Sequence, residues 1–174
     1  IWLVEGRDFR SPNTAPGGPA KSIWGAEQKA WFKRTVAASD ATFRVLISPT
    51  PLVGPDREKK NDNHANAAFA YEGRELREFL AQQKNMIVIN GDRHWQYVSV
   101  DPKTGLYEFG TGPSSDEHAG GWDAGDFRPQ HRYVNLKGGF LYVRLRREDE
   151  ALRVCLQHCG ITGDVYNEVN LKAK

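Results

Sequence analysis

Hydrophobic and polar positions divide the chain into two halves with different periods. Ile1-Trp2-Leu3-Val4 is apolar throughout and predicts the middle of a buried strand over residues 1–5. From Ala26 to Ala38 the row Gln28, Trp31, Thr35 and the adjoining row Phe32, Val36 fall at helical spacing. Ala41–Ile47 (ATFRVLI) reads as a strand, ended by Ser48-Pro49-Thr50-Pro51, where two prolines forbid regular pairing. Leu76, Phe79 and Leu80 form the buried row of a second helix over Glu72–Gln83. Met86-Ile87-Val88-Ile89 is a short apolar run with β-branched residues, which suits a strand buried on both faces. Strand, helix, strand, helix, strand is an α/β signature.

Past residue 90 the chain changes character. Trp95–Val100, Leu106–Phe109, Phe140–Arg146, Leu152–Leu156 and Val165–Leu171 read as strands. Asp101–Gly105 is a turn by composition, and Glu148–Glu150 and Gly160–Asp164 separate the last strands as hairpin turns. Ser11–Lys21, Gly54–Asn66 and the Gly-rich stretch 110–126 are loops. A βαβαβ part therefore runs into an antiparallel β part. The expected division is 1–122 for the α/β part and 123–174 for a β tail packing on the same core.

The 174 residues suffice for one domain with a proper core. No apolar run approaches the roughly 20 residues that a membrane span needs. The net charge is +2, with Lys and Arg spread among Asp and Glu. That pattern is a solvated surface and excludes a nucleic-acid stripe. There is no secretory signal and no start Met, and the apolar opening suggests a piece of a longer protein. Cys155 and Cys159 would lie roughly 13 Å apart on one strand face. A disulfide needs Cα atoms within about 7 Å, so both read as small buried hydrophobes. A Cys-His-Cys metal site with His158 is the alternative.

Candidate chemistry gathers after Met86–Ile89. That strand stops at Asn90-Gly91, where the chain can turn sharply, and Asp92, Arg93 and His94 follow at once. A polar tip between buried strands is where an open α/β sheet keeps its site. Asp92 and His94, two apart, offer an oxygen and a nitrogen ligand. The plain alternative is that Asp92 caps the turn and His94 opens a surface strand. In the loop 54–66, Asp62, Asn63, His64 and Asn66 also offer ligand atoms. Glu5, Arg7, Asp8 and Arg10 make a charged patch after the first strand, with Glu5 expected to hold an Arg through a paired carboxylate bond.

In order and spacing, Glu5-Gly6-Arg7-Asp8-Phe9-Arg10, Gly25…Gln28…Trp31, the Pro-containing end of the 41–47 strand and Gly91-Asp92-Arg93-His94 resemble landmarks of the PhoD-like alkaline phosphatases. Those enzymes are part of the calcineurin-like metallophosphoesterase superfamily. The resemblance covers most of residues 1–120. It implies the C-terminal part of an αββα sandwich with a β-rich tail, an α/β or α+β fold. It also implies two metal ions that clamp a phosphate ester and activate a bound water. By the same resemblance Asp92 and His94 are metal ligands and catalytic, Arg7 assists catalysis, and Asp62 and His64 are further metal candidates. The metals implied are calcium and iron, or manganese, since an Asp at the first motif position favours a hard ion.

Two departures qualify what the resemblance implies. The superfamily's usual ligand His is missing after Ile47. The Asp-x-His, Gly-Asp-x-x-Asp and Gly-Asn-His motifs are absent and are expected upstream of Ile1. The implied partners are a phosphate-ester substrate and a missing N-terminal half of the same protein, and the implied location is extracytoplasmic. The chain alone is then expected to be inactive. A non-catalytic binding or structural module on the same scaffold, and an unrelated α/β protein with a chance Gly-Asp-x-His, are the competing readings.

Overall fold

A computed structural model describes residues 1–174. The apolar runs assemble into a six-stranded sheet in the order β1 (Trp2–Leu3), β2 (Arg44–Ser48), β3 (Met86–Asn90), β5 (Tyr107–Thr111), β4 (Gln96–Val100), β6 (His131–Asn135). β1, β2, β3 and β5 run parallel, and β4 runs antiparallel to both of its neighbours. A second, antiparallel sheet follows: β7 (Gly139–Glu148), β8 (Ala151–Gly160) and β9 (Val165–Lys172). The fold is α+β, and no helix is long and apolar enough to cross a membrane.

Alternation along the strands sorts the layers. On one face of the first sheet Trp2, Val4, Leu46 and Val88 pack with Phe32 and Val36 of α1 (Ala26–Ala37) and Leu76 and Leu80 of α2 (Ala70–Ala81). On the other face Ile87, Val98 and Phe109 pack with Val154 and Leu156 of β8. Ile87 and Val88, adjacent and both buried, confirm a β3 covered on two sides. The order is helices, sheet, sheet, with the strands ending at residues 47 and 89 adjacent.

The inter-sheet face is open at one side. Leu3 pairs in register with Ile47 on that face, yet Leu3 is 72% exposed. Val143 and Leu145 pair with the buried Leu156 and Val154, so they point the same way, and Leu145 is 56% exposed. The expected strand over 1–5 shortens to two residues for a visible reason. The Glu5 backbone is taken by the Gln28 side chain, which accepts from its N–H and donates to its C=O, both at 2.8 Å.

The β tail matches its predicted turns. Asp149 and Glu150 both have positive φ, 47° and 66°, the pattern of a two-residue type I′ hairpin. β6 is an addition: it emerges from the Gly-rich region, and its HRYVN sequence carries no apolar run. On β8, period-two alternation sends Cys155 and Cys159 to the face opposite Val154, Leu156 and His158, and both are buried free thiols. That removes the Cys-His-Cys metal alternative. His158 points between the sheets, where its Nε2 lies 3.0 Å from the Gly110 carbonyl.

One buried carboxylate ties the loop after β2 to the sheet. Glu108 of β5 is fully buried and accepts the backbone N–H groups of Leu52, Val53 and Gly54 at 2.6, 2.9 and 2.8 Å. The Tyr97 hydroxyl bridges Glu108 and Asn90 at 2.9 and 3.0 Å. Burial, with the Glu108 charge beside it, holds that phenol well above its ordinary pKa. Glu108→Gln keeps the shape but turns an amide NH2 toward N–H donors. We expect it to lower unfolding free energy by about 2–4 kcal/mol in urea denaturation. A loss below about 0.5 kcal/mol would show that the carboxylate is not what holds the 52–54 loop.

Candidate functional site at the carboxyl edge of the parallel strands

β1, β2 and β3 are parallel, so the segments that follow them meet at one edge of the sheet. These segments are 5–10, 49–66 and 91–95. Ser48 pairs in register with Asn90, which places the start of both later segments side by side. Asp92 then adopts φ 63°, a left-handed conformation that Asp tolerates through its short polar side chain. The turn throws Asp92 and His94 outward and Arg93 inward: Arg93 is 3% exposed, and both of its neighbours are exposed.

Arg93 is the centre of an ion network. Its Nη2 lies 2.5 Å from Asp56 Oδ2 and 3.5 Å from Asp62 Oδ1, and its Nη1 lies 2.5 Å from Asp92 Oδ2. Asp56 is itself buried and accepts from Asn63 Nδ2 at 3.0 Å. Asn63 also closes the loop, its Oδ1 accepting the N–H groups of Ala65 and Asn66. Partial burial by itself would raise the Asp62 carboxyl, but the charges of Arg93 and Lys60 outweigh it and hold the group below its ordinary pKa. Arg7 reaches this cluster from the first segment, with Nη2 4.0 Å from Asp92 Oδ1. The three segments thus converge, and Arg7, Asp62 and Asp92 lie in one network.

Other sequence expectations fall elsewhere. Glu5 does not pair with an arginine side chain. Its carboxylate accepts the backbone N–H groups of Arg7 and Asp8, an Asx-like closure of the turn. His64 is drawn away from Asp92. It is fully buried, edge-on to Trp24 at 5.7 Å, with Nε2 3.0 Å from Glu72 of α2. Glu72 also accepts from the Ser22 hydroxyl and the Ile23 N–H. The expected place of His64 among the metal ligands is corrected accordingly: its outer nitrogen is spent on a buried carboxylate. No three His, Cys, Asp or Glu side chains of this chain converge closely enough to hold a metal ion.

The Gly-rich segment 110–126 docks against the 91–95 turn. The Gly120 N–H donates to the His94 carbonyl at 2.7 Å, and Trp122 packs on the fully buried Trp95, ring centroids 5.2 Å apart and tilted by 33°. The Arg57 guanidinium lies 5.4 Å over the Trp95 ring. Beneath Trp122 sits buried His131, its Nδ1 3.0 Å from Ser99 Oγ. Sequence reasoning passed over Arg93, Asp56 and Glu72, because charged residues in polar segments are solvated by default. The one available signal was that Arg93 stands between Asp92 and His94 and must face the other way.

The family model described as PhoD-like phosphatase matches residues 1–148. The solved structure of PhoD superposes with a TM-score of 0.66 at 13% identity, covering 97% of this chain and 38% of that one. The structure of GAP50, the anchor in the inner membrane complex of Plasmodium, superposes with a TM-score of 0.61 at 17% identity, covering 84% and 43%. At these identities the superpositions show the fold, and the chain spans well under half the length of either structure. No curated protein matches the chain.

The buried titratable groups set a pH dependence. Burial pushes His131 and His158 down to about 4. The unfolded chain therefore protonates first as pH falls below about 6.5, and stability should decline from there to about pH 4, by up to about 1.4 kcal/mol per pH unit and histidine. Burial alone would raise Glu72, but hydrogen bonds and charge from His64, with help from Ser22 and Ile23, bring it down to about 2. Its stabilisation is complete above about pH 4.5 and is lost as pH falls toward 2. Urea midpoints at pH 7, 5.5, 4 and 3 measure both limbs. His158→Gln should reduce the slope of the upper limb only, with His131 supplying the remainder, and a flat wild-type profile between pH 6.5 and 4 would contradict the buried neutral histidines.

Proposed function

The chain belongs to the PhoD-like phosphatase family, and from that premise we propose that it carries one wall of a metal-dependent phosphate-ester hydrolase site, centred on the 91–95 turn. Support comes chiefly from one juxtaposition. The outward oxygen of Asp92 and the exposed His94 ring flank an inward, anchored Arg93, with the Arg7 guanidinium 4.0 Å from Asp92 Oδ1. Arg7 is 56% exposed, so most of its donors are available to a phosphate oxygen. A diester or monoester phosphate held there lies beside two ligand-type atoms.

The residues fit a metal in part. Asp92 has Oδ2 committed to Arg93 and leaves Oδ1 outward. The His94 ring makes no hydrogen bond within the chain. An oxygen and an imidazole nitrogen suit calcium or manganese and iron respectively, but two donors are fewer than such ions require. In this proposal Asp62 stands behind them through Arg93, and the remaining donors come from a further part of the same catalytic unit. Its bound ions would polarise the phosphate and lower the pKa of a water. The chain alone is then inactive, and the partner part would cover the exposed Leu3 and Leu145 face. An extracytoplasmic location is carried over from the family as part of the same proposal.

A second reading has its own observation. Arg93 already neutralises the inward carboxylates without any metal, as a non-catalytic module would need, and GAP50, which serves as an anchor, shares the fold. The two readings separate in the protein that carries the whole catalytic unit. Asp92→Asn and His94→Ala should each cut hydrolysis of bis-p-nitrophenyl phosphate and p-nitrophenyl phosphate at least about 100-fold, with unchanged circular dichroism and reduced metal content by mass spectrometry. A His94→Ala protein with full turnover and full metal would overturn the site. A wild type that binds no metal and hydrolyses neither ester would select the non-catalytic module.

A further inference from the structure

Arg93 differs from every other arginine near the edge in being buried against a partner that is itself buried. Asp56 supplies that partner, with side chains exposed by 2% and 0% across a 2.5 Å contact. A pair taken out of water this completely is costly unless further contacts offset the lost hydration. Asn63 serves Asp56, and Asp62 and Asp92 serve the two Nη atoms of the guanidinium, while its buried Nε has no partner. The two carboxylates come from segments thirty residues apart in sequence and meet only through Arg93. Because Nη1 takes Asp92 Oδ2, the opposite oxygen, Oδ1, is the one presented toward Arg7. The Arg93 side chain is held inward, and its neighbours Asp92 and His94 are both exposed.

We propose that Arg93, anchored by Asp56, is the positioning residue of this edge. It sets which oxygen of Asp92 is offered, aims His94 through the backbone, and fixes Asp62 beside them. The role rests on the hydrolase reading above for its catalytic consequence but not for its geometric one. A planar fork makes contacts to separate carboxylates that a lysine's point charge cannot reproduce. Lysine keeps the charge, so Arg93→Lys isolates the geometry. Asp56→Asn keeps the anchor's shape and removes its charge.

The test uses the protein with its whole catalytic unit and has two arms. In crystal structures of Arg93→Lys and Asp56→Asn, the Asp62 and Asp92 carboxylates should separate or rotate from their common arrangement. In kinetics with bis-p-nitrophenyl phosphate, kcat should fall about 10–100-fold with KM within about twofold, and Mn²⁺ affinity by calorimetry should weaken about tenfold. A purely structural arginine would lower the melting temperature and leave kcat, KM and Mn²⁺ affinity of the folded enzyme unchanged. Carboxylates that stay in place in both variants overturn the proposal whether or not the protein is an enzyme. An inactive wild type whose carboxylates move in the variants sinks the hydrolase reading and leaves the positioning role standing. If Arg93→Lys fails to fold, Asp56→Asn decides by the same measurements.

Discussion

The candidate site depends on a charge that water cannot reach. Arg93 is buried at the carboxyl end of β3, and a bare guanidinium there would be prohibitively unstable. Everything around it is arranged as compensation. Asp56 lies beneath it, Asn63 steadies Asp56, and Asp62 and Asp92 hold the Nη atoms from two sides, leaving only Nε without a partner. A long polar loop that would otherwise be mobile is thereby bound to the turn after β3. Order in the loop and orientation in the turn have one cause.

Two further buried carboxylates repeat this logic along the same layer. Glu108 gathers three amides of the chain leaving β2, and Glu72 gathers the Ser22 hydroxyl, the Ile23 amide and His64. Each links segments far apart in sequence at a point where the backbone has no ladder partner. Irregular segments are thus held by acidic side chains on regular elements. The loops near the site can be long and polar while remaining in fixed places.

Much of this was legible in the residues. The β3 run, both helices and the hairpin turns followed from period and turn chemistry, and the grouping of Arg7, Asp62 and Asp92 was implied only by the resemblance in order of motifs. The rest depended on side chains choosing between equivalent partners. His64 and Asp62 are two residues apart in one loop, and nothing local says that one faces Glu72 and the other Arg93. Glu5 was expected to seek an arginine but found two backbone N–H groups closer. β1 was cut short by Gln28, twenty-three residues away. β6 carries no apolar run, and its place beside β4 is fixed by antiparallel ladder pairing that local sequence does not announce.

Asp92 holds its carboxylate at a backbone angle that glycine would occupy without strain. Thermodynamically the turn would be easier to form with glycine at 92. Chemically it would then be mute, since the outward oxygen and its tie to Arg93 would vanish together. The position is a small standing conflict between folding and reactivity. A chain released from its chemistry could resolve that conflict by losing the acid only if it also compensated the buried Arg93, whose Nη1 would lose its carboxylate partner.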